Sequence, residues 1–181
     1  MILNNTYALD LGTTKFCLAT IKVDRQKKAP QIQTVCTPAQ GMYRGMLANF
    51  DEAKKSLNDL VDQGERLFNT SIPQVVVGIA GSHLRSEIVC SSYTDPTNSV
   101  IDTNVLAKLE QLARAKAYSQ EEDIIHCIPI SFDIDHRGPT EAPLGLHFAK
   151  ITSRYFIVQA NKRYLTDVVK LCNMTGLEVT R

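Results

Sequence analysis

Residues 10–15 read Asp-Leu-Gly-Thr-Thr-Lys and lie between two apolar runs. A carboxylate, a glycine, two hydroxyls and an ammonium thus share one short turn. The flanking residues favour strands, so the segment is expected to form a β-hairpin with these groups at its tip. Gly12 permits close backbone approach, and backbone N–H groups in such a turn can line an anion-binding concavity. Thr13 and Thr14 add hydroxyls, and Lys15 adds positive charge. Asp10, at a strand end, is placed to hold a hydrated Mg²⁺ or to orient a water, because Mg²⁺ keeps several waters and takes only one or two protein carboxylates. The constellation fits a hairpin that grips the β- and γ-phosphates of ATP. It is not a Walker loop, since no GxxxxGK[ST] run joins a strand to a helix. Strand–Asp–x–Gly–Thr turns also occur in ordinary hairpins, so the surrounding elements must carry the assignment.

Composition narrows the function classes. The 181 residues fit one domain, or one domain with a small insert. Hydrophobic residues make up 44% and charged residues 22%, near the globular average. A net charge of +1 offers no electrostatic case for nucleic acid or an anionic membrane surface. No apolar run approaches the roughly 20 residues that span a bilayer. The first six residues lack a basic n-region and an apolar h-region, so secretion is not expected. Cys17, Cys36, Cys90, Cys127 and Cys172 form no CxxC pair, and their odd count and wide spacing argue against a disulfide framework or a zinc site. Reduced, mostly buried, inert thiols in a cytoplasmic setting are expected. His83, His126, His136 and His147 have no metal-ligand spacing and read as structural. Asp133 and Asp135 read as a solvated strand face, and no GxSxG elbow occurs. No residue is assigned a catalytic role, and no protein-caged metal is expected.

The hairpin continues as a meander. Strands are expected at 6–11, 16–23 and 32–37, with a charged turn at 24–30 between the last two. A glycine-bearing connector at 40–45 leads to a helix capped by Asn49, with Glu52 three residues on as in a capping box. Ala53, Leu57, Leu60, Val61, Gly64, Leu67 and Phe68 recur at helical spacing. The apolar run 75–80 then suits a strand covered on both faces. Three antiparallel strands, a helix and a buried strand begin the ribonuclease-H-like order shared by actins, chaperone ATPases and sugar kinases. The middle of the chain reads as a second unit: a strand at 83–94, a helix capped by Asp102, an alternating strand at 124–135 and a short strand near 146–151. In the alternating strand Ile128, Ile130, Phe132 and Ile134 are expected on one face. Pro129 lacks a ladder donor, which favours an edge or a bulge there. A further strand at 154–159, a last helix, Gly176 at a helix C-cap and a strand at 177–179 complete the pattern.

Taken together these segments resemble the FtsA family of actin-like bacterial cell-division proteins. Asp10-Leu11-Gly12-Thr13-Thr14-Lys15 resembles the family's first phosphate motif, and Gly41-Met42-Tyr43-Arg44-Gly45-Met46 its paired-glycine connector. Val77-Gly78-Ile79-Ala80-Gly81-Ser82-His83 is similar to its Gly-Ile-Ser-Gly-x-His segment. Ile125-His126-Cys127-Ile128-Pro129 and Ala142-Pro143-Leu144-Gly145-Leu146 resemble its His-x-Ile-Pro and Asn-Pro-x-Gly segments, with Ala142 where the family often has Asn. Tyr155-Phe156-Ile157-Val158 and Cys172-Asn173-Met174-Thr175-Gly176-Leu177 close the series. The phosphate motif is superfamily-wide; the later segments point to FtsA.

The resemblance implies an α/β fold: a ribonuclease-H-like (actin-like) subdomain at 1–81 and 153–181, interrupted by a small strand-helix-strand-strand subdomain at 82–152. It implies a division scaffold that tethers FtsZ filaments to the inner membrane, recruits later division proteins and self-associates into polymers, on the cytoplasmic face at the division site. ATP with Mg²⁺ would be a structural and polymerisation ligand, held through Asp10, Gly12, Thr13, Thr14 and Lys15, with at most weak ATPase activity. The family's second phosphate motif, adenosine motif, second lobe, FtsZ-tail site and membrane-binding C-terminal helix would lie beyond Arg181. An N-terminal piece is therefore expected, and a half-cleft of this kind is not expected to hold ATP tightly by itself. The inserted subdomain would contact neighbouring subunits and late division proteins. The alternatives are a small-molecule phosphotransferase of the same superfamily, of sugar-kinase type, and a standalone protein-interaction module.

Overall fold

The computed structural model describes residues 6–22 and 30–180. The start of the chain and nearly all of the expected charged turn at 24–30 fall outside them. The chain divides into two compact units, one of Met1–His83 with Arg163–Arg181 and one of Leu84–Lys162.

The first unit opens with a meander of β1 (Tyr7–Leu11), β2 (Lys15–Lys22) and β3 (Gln31–Pro38). A short hairpin of β4 (Met42–Tyr43) and β5 (Met46–Leu47) leads to α1 (Phe50–Phe68). Next, β6 (Gln74–Gly78) pairs parallel to β1. From the end of the chain this unit takes most of α3 (Lys162–Asn173) and all of β11 (Glu178–Val179), which pairs parallel to β6. The sheet order β11-β6-β1-β2-β3 is the ribonuclease-H-like arrangement. Strand alternation puts Tyr7, Leu9, Leu11, Phe16 and Leu18 on one face, where they are buried in one cluster with α1 and α3. Each such side chain contributes about 1.5–3 kcal/mol on burial. Gly64 lets α1 approach this face, since a Cβ there would lie 2.6 Å from Leu18 Cδ2.

The other face of this sheet carries Ala8, Asp10, Cys17, Cys36, Val76 and Gly78, all exposed or half-exposed. Here β6 departs from the sequence expectation: Val75 is buried, but Val76 and Val77 are only partly so. An apolar run shows that a strand is central in its sheet, not that both faces are covered.

The expectation of inert, unpaired thiols needs correction. Antiparallel register sets Cys17 opposite Cys36 with their Cα atoms 4.1 Å apart, and the two form a disulfide. Cys36 and Cys90 are exposed rather than buried. Cys172 behaves as expected, its thiol pushed up to about 11 by burial, and burial also raises the free, half-buried Cys127 thiol.

The second unit is a sheet of order β7-β10-β8-β9, from β7 (Leu84–Thr94), β8 (Glu122–Ile134), β9 (Pro139–Thr140) and β10 (Lys150–Asn161), with α2 (Thr103–Lys116) packed on one face. The short strand expected near 146–151 does not form as such: His147 makes an isolated bridge to Val100, and only Lys150 and Ile151 lie in a strand, the start of β10, which takes in the strand expected at 154–159 and is central to this sheet. The unit therefore runs past 152, because β10 gives both its edges to β7 and β8. The expected alternation in β8 is broken by a register shift beside Pro129. Phe132 and Ile134 are buried, whereas Ile128 and Ile130 on the far side of the shift are 49% and 38% exposed. Along this stretch β8 is an edge, because β9 pairs only with Phe132 and Asp133, and an edge or a bulge is where a residue without an N–H is tolerated. Two buried serines join helix to sheet: Ser91 Oγ donates to the Leu109 carbonyl at 2.8 Å and lies 2.7 Å from Ser153 Oγ. Asp133 and Asp135 hold turns rather than a solvated face: Gly138 N–H donates to Asp133, and Ala149 and Lys150 N–H donate to Asp135.

The α1 cap is only half of the expected box. Asn49 Oδ1 accepts from Asp51 N–H and Glu52 N–H at 3.1 and 3.2 Å, but the Asn49 N–H donates to the Gly41 carbonyl, not to Glu52. Asn49→Ala is expected to cost about 1 kcal/mol, and Asn49→Ser much less. Urea unfolding followed by far-ultraviolet circular dichroism checks this; equal stability of all three proteins would show that the cap is dispensable.

Candidate functional site

The hairpin tip between β1 and β2 is built by backbone bonds. Gly12 N–H donates to the Lys15 carbonyl at 3.2 Å, and a Cβ on Gly12 would lie 2.8 Å from that same oxygen. Only glycine lets the turn close so tightly. The Thr14 carbonyl accepts from Ala39 N–H at 3.0 Å, tying the tip to the end of β3.

A second tie runs to the connector. Gly45 N–H donates to Thr13 Oγ1 at 2.9 Å. Arg44 and Gly45, at φ of 50° and 76°, form the two-residue loop of the β4–β5 hairpin, and left-handed backbone at both positions marks a type I′ turn. The Arg44 guanidinium lies 5.3 Å from the centre of the Tyr43 ring. Gly45 itself packs against the segment after β6. A Cβ there would overlap the Ala80 carbonyl oxygen and sit 2.9 Å from Gly81 Cα. Three chain segments thus meet at the hairpin tip.

The structure brings together Asp10, Gly12, Thr13, Thr14 and Lys15. Asp10, Thr13, Thr14 and Lys15 are exposed. The proton of Thr13 Oγ1 is still available to donate, since that oxygen serves Gly45 as acceptor. Among the described residues, no donor or cation engages the Asp10 carboxylate and no acceptor engages the Lys15 ammonium. Asp10 thus does not serve to satisfy nearby backbone N–H groups among the described residues. In the sheet Asp10 lies opposite Gly78, where a Cβ would stand 3.9 Å from Oδ1, so the space beside the carboxylate stays open. A free anion, a free cation and donor hydroxyls on a rigid turn suit a polyphosphate with its hydrated metal: Lys15 and the hydroxyls toward oxygens, Asp10 toward metal-bound water.

Reading residues 10–15 alone misses Gly45 and Gly78, which shape the site from other segments. Their signal was present in the paired glycines of the connector and in the glycine that ends the β6 run. His83 is also more constrained than expected. Its ring stacks at 3.6 Å on Tyr164, both ring nitrogens are screened from solvent without a partner, and burial lowers its pKa.

Residues 81–159 match the family described as the SHS2 domain inserted in FtsA. Across 94% of its length the chain is 21% identical to the cell division protein FtsA of Pseudomonas aeruginosa and 24% identical to that of Neisseria meningitidis. The chain is FtsA-like. It is also 20% identical, over 94% of its length, to FtsA of Escherichia coli. The chain spans about two fifths of these relatives, 41%, 41% and 40% of their respective lengths. Among solved structures, a PilM-PilN type IV pilus biogenesis complex covers 97% of the chain and is matched over 46% of its own, at a TM-score of 0.63 and 14% identity, a likeness of fold.

Three outcomes are expected. Gly45→Ala should destabilise the first unit by roughly 2 kcal/mol or more, since it combines a left-handed backbone with a clash against backbone atoms. Lys15→Ala should shift stability by no more than about 0.5 kcal/mol. Thermal melts of both variants test the site's architecture, and a large loss for Lys15→Ala would mean that its ammonium is structural. His83 has a depressed folded-state pKa, so the unfolded chain takes up the proton first. Stability is therefore full above the unfolded value of about 6.5 and declines as pH falls below it. Denaturation midpoints at pH 7 and pH 5 should differ less in His83→Gln than in the parent.

Proposed function

We propose that this FtsA-like chain works in bacterial cell division as part of an actin-like scaffold. The observation that carries the reading is the FtsA-type SHS2 match over residues 81–159, set within a chain similar to FtsA over 94% of its length. In this reading the scaffold links FtsZ filaments to the cytoplasmic face of the inner membrane. It self-associates and recruits later division proteins, with the second unit as a contact surface. Among the described residues no helix is long and apolar enough to cross a membrane.

ATP with Mg²⁺ is the proposed ligand of the hairpin, as a structural and polymer-state ligand. Lys15 and the hydroxyls of Thr13 and Thr14 would take phosphate oxygens, and Asp10 would order the metal's waters. These groups are presented to solvent on a turn fixed by backbone bonds, so ligand binding need not reorganise them.

A fluorescent fusion of the protein, expressed in its host, is expected at midcell and should disperse when FtsZ is depleted. Uniform cytoplasmic fluorescence in dividing cells would overturn the scaffold reading. Calorimetry with Mg-ATP tests the ligand separately: Asp10→Asn and Lys15→Ala should each weaken the binding measured for the parent. Binding unchanged in both variants would move the phosphate site away from the hairpin.

A further inference from the structure

Cross-strand register sets four residues in one row on the open face of the first sheet: Gly78 on β6, Asp10 on β1, Cys17 on β2 and Cys36 on β3. The sulfurs of Cys17 and Cys36 are joined. The row lies close to the hairpin tip, where Lys15 pairs with Pro38 and the Thr14 carbonyl accepts from Ala39 N–H. Alternation from the Ala39–Thr14 bond makes Lys15–Pro38 and Cys17–Cys36 non-hydrogen-bonded pairs, so at the disulfide row and at the tip no backbone bond runs directly between the paired residues. Moreover β3 is the edge strand of the sheet. A covalent link at this row adds to the ladder bonds that join the strand end carrying Lys15 to the edge strand β3.

We propose that Cys17 and Cys36 form a reversible dithiol–disulfide site whose oxidation pins β3 to the phosphate-hairpin strand beside Asp10. Access favours exchange. Cys36 is exposed and Cys17 is half-exposed, unlike the buried Cys172. The short Cα separation keeps both thiols within bonding reach after reduction. In a reducing compartment persistent disulfides are rare, and those that form are characteristically transient or redox-sensing. With glutathione disulfide as oxidant, the Cys36 thiolate attacks one glutathione sulfur, forming a mixed disulfide and expelling a glutathione thiolate. The Cys17 thiolate then attacks the Cys36 sulfur and expels the second glutathione. Two protein thiols lose two electrons and two protons, and glutathione disulfide is reduced to two thiols. A dithiol reductant reverses both steps. The pairing stands independently of the nucleotide reading; any effect on Mg-ATP affinity rests on that reading.

The test equilibrates the protein with glutathione disulfide or with dithiothreitol, quenches with acid, then alkylates free thiols in denaturant and maps the peptides. The expected result is a Cys17–Cys36 cross-link, about 2 Da lighter than the dithiol for its two lost hydrogens, that forms and disappears reversibly while Cys90, Cys127 and Cys172 alkylate in both states. Alkylation of Cys17 and Cys36 throughout oxidation, or glutathione held on Cys36 without closure, would overturn the site. Hydrogen exchange without nucleotide reads the mechanical consequence. Amides of 12–18 and 34–39 should exchange more slowly in the oxidised parent, and this difference should be lost in Cys36→Ser. Equal exchange in both redox states would overturn the pinning. Calorimetry with Mg-ATP in the two states is a separate arm. Redox-dependent mapping and exchange with no ATP binding in either state would leave the switch standing and remove the nucleotide reading.

Discussion

Much of the first unit depends on one close approach, the packing of the Arg44–Gly45 turn against the backbone of Ala80 and Gly81. No side chain fits at Gly45, because a Cβ would occupy the space of the Ala80 carbonyl. The approach aims the Gly45 N–H at Thr13 Oγ1, so the connector holds the hairpin tip from one side while Ala39 holds it through Thr14 from the other. The order of the sheet follows the same logic. β1 lies between an antiparallel partner and a parallel one, and the segment that leaves β6 must pass the connector turn before the chain departs. A loop of exposed polar residues thereby has a defined shape without a core of its own.

What the sequence disclosed, and what it hid, divides along the range of the interactions. The meander, α1 with its Asn49 cap, and the Asp102-capped α2 were legible because each rests on periodicity and on capping residues within a few positions. The grouping of Asp10 with Lys15 was legible for the same reason. The Cys17–Cys36 pairing was not taken from spacing, since it follows only once the β2–β3 register is known. That register could have been counted from the expected turn. The roles of Gly45 and Gly78 needed tertiary placement: paired glycines mark a place where backbone comes close to something, but not what it approaches.

In the second unit two sequence signals conflict at Pro129: alternation puts Ile128, Ile130, Phe132 and Ile134 on one face, whereas the missing donor favours an edge or a bulge, and the structure follows the second with a register shift there. A one-residue slip exchanges faces, so Ile128 and Ile130 emerge while Phe132 and Ile134 stay inside. β10 begins only at Lys150 and runs on through Thr152 and Ser153, and the buried Ser153 is satisfied there by its bond to Ser91. A polar residue in the middle of a buried strand reads as an end unless its partner is known.

The case for the hairpin rests finally on how carboxylates in this chain are used. Where one has a structural task, the structure supplies its donors. Asp102 accepts from Val105 N–H at the start of α2, Asp95 accepts from both the side chain and the backbone of Thr97, and Asp135 accepts from Lys150 and Ala149 N–H. These bonds favour the ionised form, and each of the three carboxyl groups is held below its ordinary range. Asp10 has no such donor among the described residues, because the N–H groups of the strands on both its edges serve the ladder. Aspartate is a poor strand former, which makes its presence there unfavourable for the sheet alone. An exposed carboxylate that serves no local bond, beside a glycine that keeps its surroundings open, is what the proposed phosphate and metal-water role would use.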